Sequence, residues 1–99
     1  MNRSVALQRA AVVREGLRTF DCVTREILHH QSIGLAKLHV RKVLCGTDKD
    51  GNILTGPTTK ICVVGKGVIS QMQALLKIKD QREAEERARK KAEASGGRQ

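Results

Sequence analysis

Beyond Ile78 the chain contains no large apolar residue; the rest of it is Lys, Arg, Glu, Asp, Gln, Ala, Ser and Gly. Any packed core must therefore come from residues 1–78, close to the size at which one core is marginal and self-association often completes it. That core is aliphatic, because Phe20 is the only aromatic residue. The same scarcity removes one class of function. Modules that read unpaired bases stack them on Phe, Tyr or Trp, and no such platform can be built here.

Charge points to a partner. Lys and Arg number 19 against 10 acidic residues, a formal net charge of +9. Residues 1–46 hold eight of the cations and three of the acids, whereas 77–99 hold eight and five, so the excess is concentrated in the first half. Such a balance selects polyanions, nucleic acid first and anionic membrane second. A membrane-surface role lacks the large apolar helical face it requires, and no apolar run approaches the ~18 residues of a bilayer span. Cys22, Cys45 and Cys62 are widely spaced and form no C-x-x-C pair, the usage of reduced thiols in a cytoplasmic compartment, where a DNA-binding role would make the protein nucleoid-associated. Residues 1–14 carry Arg3, Arg9 and Arg14 and no acid, a transit-peptide composition that keeps a mitochondrial location open.

Periodicity gives a mainly helical reading. Ser4 is placed to cap a helix whose apolar positions run Leu7, Ala10/Ala11, Val13, Leu17, Phe20, Val23 and Ile27, as one helix or as two broken near Thr19–Asp21. From Ser32 to Gly46 a strand is conceivable, but the helix template fits better: Ile33, Ala36, Val40, Val43 and Leu44 share a face, and Gly46 is a natural stop. Thr47–Asn52 is dense in turn formers, and Ile53–Thr55 with Thr59–Val64 reads as a hairpin. From Val68 the helical period returns through Ile69, Met72, Leu75 and Leu76. Glu83–Arg87, Glu85–Arg89 and Glu86–Lys90 then support a charged continuation to about residue 94.

The stretch Ile33-Gly34-Leu35-Ala36-Lys37-Leu38-His39-Val40-Arg41-Lys42-Val43-Leu44 resembles the turn and recognition helix of helix-turn-helix DNA-binding proteins. In that family Gly34 would make the turn, Ile33 and Leu35 would flank it, and Val40 and Val43 would lock the second helix to the first. The hairpin and Lys60–Gly67 are similar to the wing of winged variants, and the resemblance covers about residues 20–78. It departs at His30, where the family favours a small residue, and at Leu38, where a base-contacting residue is expected. It implies that Arg41 reads guanine edges while Lys37 and Lys42 meet phosphate, with Lys49 and Lys60 of the hairpin near the backbone.

Other motifs are weaker. Asp48-Lys49-Asp50-Gly51-Asn52 opens like a calcium loop, but Ile53 and Thr59 stand where Gly and a bidentate Glu are needed. Gly65-Lys66-Gly67 before a helix could bring Lys66 and backbone amides to a phosphate, although a plain turn is the simpler account. The three histidines and three cysteines show no ligand spacing, and no acid–base or nucleophile constellation is legible. These readings combine into a mainly α fold with a small β-hairpin (α+β): a helix-turn-helix-like bundle with a wing and a long C-terminal helix. Residues 1–78 form the basic domain and 79–99 a charged helical extension and tail. The expected function is that of a non-enzymatic DNA-binding regulator or architectural protein without cofactor or metal, homodimeric through Val68, Met72, Leu75 and Leu76. The rival reading is a structural component of a nucleoprotein assembly, ribosomal or phage.

Overall fold

In the computed structural model, residues 3–96 are described, with side chains from 5 to 93. The Ser4 cap lies outside the described side chains, and the tail from Gly97 lies outside the described residues. The elements run α1 (Arg3–Arg9), β1 (Ala10–Glu15), β2 (Arg18–Asp21), β3 (Ile27–His29), α2 (Ile33–Cys45), β4 (Ile61–Val64) and α3 (Val68–Gly96). The four strands form one sheet in the order β3-β2-β1-β4; β1 is antiparallel to β2 and parallel to β4.

The α+β class and the long C-terminal helix are present, and the arrangement between them differs from the expectation. Residues 10–29 form three strands joined by turns, not helix. The apolar steps of three and four concealed a stronger constraint: Val12 and Val13 are both fully buried, on opposite faces of the sheet. One-sided burial of an amphipathic helix cannot achieve that, whereas a central strand does. Gly16, unfavourable inside a helix, instead takes φ +60 in the tight turn joining β1 to β2. The expected helix-turn-helix is therefore not formed: the segment before α2 is strand β3, and Gly34 lies within the first turn of α2. Nor is there a wing hairpin. Among the described residues, Ile53 makes only an isolated bridge to Thr47, and β4 joins the central sheet beside β1.

Each sheet face carries its own layer. Val13 faces Phe20 across β1 and β2, and with Leu7, Ala10, Val68, Ile69 and Met72 they make the main core beneath α1 and α3. Val12 and Thr19 point to the other face, where Ala36 and Val40 of α2 are buried. Val68 and Met72 are thus consumed inside the monomer, with Leu75 and Leu76 packed against the same cluster. Of the four residues expected in a homodimer contact, Val68 and Met72 are covered by the monomer's own sheet, whereas Leu75 and Leu76 stay partly exposed. Residues 10–15, part of the basic N-terminal segment, are the central strand of the fold.

Candidate nucleic-acid interface

The helix expected over 32–46 is formed with the expected ends. Ser32 Oγ accepts the Leu35 N–H at 3.2 Å, and Gly46, at φ +80, donates its N–H to the Lys42 carbonyl at 2.8 Å. Ala36 and Val40 face the sheet, so the opposite side turns outward, with Lys37, Leu38, Arg41 and Lys42 exposed. Ile33, expected on the buried side, is 42% exposed, and Leu35 and Leu38 are similarly open. The outward surface therefore mixes three aliphatic side chains with three cations. From Ile27 to Thr47 there is no Asp or Glu at all.

Sheet geometry sorts the remaining sequence-predicted cations by end. The His30 N–H bonds the Leu17 carbonyl at 2.8 Å, so α2 starts at the end of the sheet marked by the Gly16 turn. It runs to the opposite end, where β4 begins. There the 47–60 loop folds back on the helix terminus: Leu54 N–H donates to the Gly46 carbonyl at 3.0 Å and Thr58 Oγ1 to the Leu44 carbonyl at 2.8 Å. Lys49 lies at the tip of that loop and Lys60 at the entry to β4, both exposed, so they gather at the end where Arg41 and Lys42 stand. Lys66 is at the other end, in the turn into α3. The Ile69 N–H at the start of α3 donates to Glu15 Oε1 at 3.3 Å, so the protein's own carboxylate occupies the position that a bound phosphate would take.

A contact chain that the sequence did not announce runs under the α2 start. Thr19, 1% exposed, shares a 2.8 Å hydrogen bond between its Oγ1 and His30 Nε2, and the His30 ring centroid lies 5.1 Å from that of His39. Partial burial, then the neighbouring His39 and His29, hold the His30 pKa below its ordinary value. No spacing rule could have joined positions 19, 30 and 39, because the sheet brings them together.

A second recess lies on the far face, a groove of about 590 Å³ between the start of β1, Cys22 and Val23, and α3. Its thiol is poorly suited to nucleophilic chemistry: burial, then Asp21 and Cys62, push the Cys22 pKa up to about 11. Among the described residues no group of three or more His, Cys, Asp or Glu could hold a metal ion, and no helix is long and apolar enough to cross a membrane. Comparison with known proteins finds no matching family model, no matching curated protein and no matching solved structure.

Proposed function

We propose that the protein binds nucleic acid, duplex DNA in the first instance, through the outward face of α2. Lys37, Arg41 and Lys42 are its principal cations, flanked by Lys49 and Lys60 where the helix ends. One observation carries this assignment: the exposed side of α2 presents cations in a stretch of chain free of carboxylates. On the exposed part of α3, by contrast, the basic residues are interleaved with acids, and Lys90 pairs with Glu86 at 3.3 Å. The recognition role of α2 is kept from the sequence resemblance, without the helix-turn-helix partner. A helix ~10–12 Å across fits the major groove, where Arg41 has the fork to take guanine O6 and N7 and Leu38 the apolar surface to meet a thymine methyl. Lys37 and Lys42 serve as phosphate contacts. Lys66 is left out of the interface because it lies at the other end of the sheet.

The test is an anisotropy titration of the protein and two variants against a defined duplex pool, random duplex and structured RNA. Arg41→Ala is expected to flatten the preference among duplexes, and Lys37→Ala to weaken all of them alike. Preference lost through Lys37→Ala instead would reverse the two roles. A role as a component of a nucleoprotein assembly keeps one observation in its favour. Residues 81–93 of α3 are exposed throughout, an extension that adds nothing to the monomer's core.

A further inference from the structure

α3 leaves the body with one side uncovered, and the charges on that side are self-complementary. From Met72, buried in the main core, steps of three and four lead through Leu75, Lys79, Arg82/Glu83 and Glu86, so these residues share one side of the helix. They line the 590 Å³ groove, whose wall on the body includes Ala11 and Val23. Val23 is 82% exposed, Leu75 is only half-buried, and the four charged residues are exposed. Followed outward from the body, this side of the helix is apolar, then doubly basic, then doubly acidic. Lys79 and Glu83 add through charge to the Arg25–Asp80 pair, and Glu86 bonds Lys90 of its own helix at 3.3 Å. These contacts are solvent-exposed, of the weak kind that a further partner can share.

From this we infer that the groove side of α3 is an interface for a second copy of this chain, the two helices packing antiparallel about a two-fold axis between Arg82 and Glu83. That axis sets Lys79 opposite the partner's Glu86 and Arg82 opposite the partner's Glu83. Two-fold symmetry makes each contact twice, so four opposite-charge pairs line the seam. The same register lays the partner's Lys90 over Leu75, where its aliphatic stem covers the apolar end of the groove. Other arrangements are penalised. Parallel helices in register would set every charge against itself. Moving the axis by half a heptad puts Lys79 against the partner's Lys79, or Glu86 against the partner's Glu86. A foreign helix of a single sign would meet its own sign over half of the seam. The charge order therefore selects a second copy, and it gives the exposed rod a surface to cover. This inference does not depend on the nucleic-acid proposal, since α2 contributes nothing to the groove.

The experiment is sedimentation velocity of the full chain over a range of concentrations at low salt, with charge exchanges at these exposed positions. The parent is expected to dimerise, and the dimer to weaken as salt is raised. Lys79→Glu/Arg82→Glu and Glu83→Arg/Glu86→Lys each turn all four pairs into like-charge contacts. Each should self-associate more weakly than the parent by about tenfold or more, on the scale of four exposed ion pairs. Mixed one to one, the two variants restore every pair and should form a heterodimer. The chain carrying all four exchanges should regain the homodimer, which a merely misfolded variant could not do. A parent that stays monomeric would overturn the inference. So would either charge-reversed variant dimerising with the parent's affinity, or a mixture of the two that fails to associate.

Discussion

At the scale of single residues, the buried polar and sulfur groups give the sharpest expectations. Cys22, with its pKa near 11 against an ordinary 9.0, holds about 100-fold less thiolate at pH 8 than an unperturbed thiol. Its alkylation by iodoacetamide, followed by peptide mass spectrometry, should be slower in the native protein than in urea by about tenfold or more, because the scarcer thiolate is partly offset by its greater nucleophilicity. Comparable rates in the two states would mean that the thiol is not shielded as described. His30 is a second case. Its folded pKa lies below the ordinary 6.5, so the unfolded chain takes up the proton first. Its contribution to stability is complete above about pH 6.5 and is lost as pH falls from there through the folded value. Asp80, held down by its hydrogen bond and charge pairing with Arg25, and Asp48, held down by backbone amides of its own turn, behave alike in sign. Their contributions disappear only below the ordinary carboxylate value of 3.8, so the windows separate. Thermal melts of the protein and of His30→Gln between pH 5 and 8 should converge at the acid end; parallel curves would remove His30 as the cause.

At the scale of elements, the two faces of the sheet are unequally held. Phe20, 2% exposed, is the one large ring in the main core, and Phe20→Ala is expected to cost ~3–5 kcal/mol in urea denaturation. A loss below ~1 kcal/mol would contradict its placement at the centre of that core. By contrast, α2 buries only Ala36 and Val40, so its amides should exchange with solvent sooner than those of β1. This inequality also explains which elements the sequence disclosed. Ser32, Gly46 and the Ala36/Val40 spacing are local signals, and the bounds of α2 were legible, as was the start of α3 at Val68, although Ile33 lies outside the buried face it was assigned to. The sheet was not. Its evidence is the non-local pairing of Val13 with Phe20 and of Val12 with Cys62, and Val12-Val13 fits either period when read along the chain alone. The cations of the candidate site were found from local pattern, whereas their division between the two ends of the sheet, and the carboxylate of Glu15 at the start of α3, required the fold.

At the scale of the whole molecule, charge and shape act on different parts. The body is a three-layer unit, α2 over the sheet over α1 and α3, and α3 continues past Asp80 as an exposed rod that gives the molecule a long dimension of 61 Å. Arg25 bonds both Asp80 carboxylate oxygens, at 2.5 and 2.7 Å, and so ties the β2–β3 turn to the point where the rod leaves the body. Both ends of the molecule are basic, but α2 is free of acids and the rod is not. If nucleic acid binds there, rather than wherever positive charge is plentiful, two variants with the same change in net charge must differ. The most direct measurement is the salt dependence of duplex binding for the protein, for Lys37→Ala/Arg41→Ala/Lys42→Ala, and for Arg87→Ala/Lys90→Ala/Lys91→Ala on the rod. The α2 variant is predicted to lower the slope of log affinity against log salt by about two to three, at roughly 0.9 for each phosphate no longer neutralised, with the rod variant close to the parent. Equal reductions in the two variants, or a larger one from the rod, would contradict the assignment of the interface to α2.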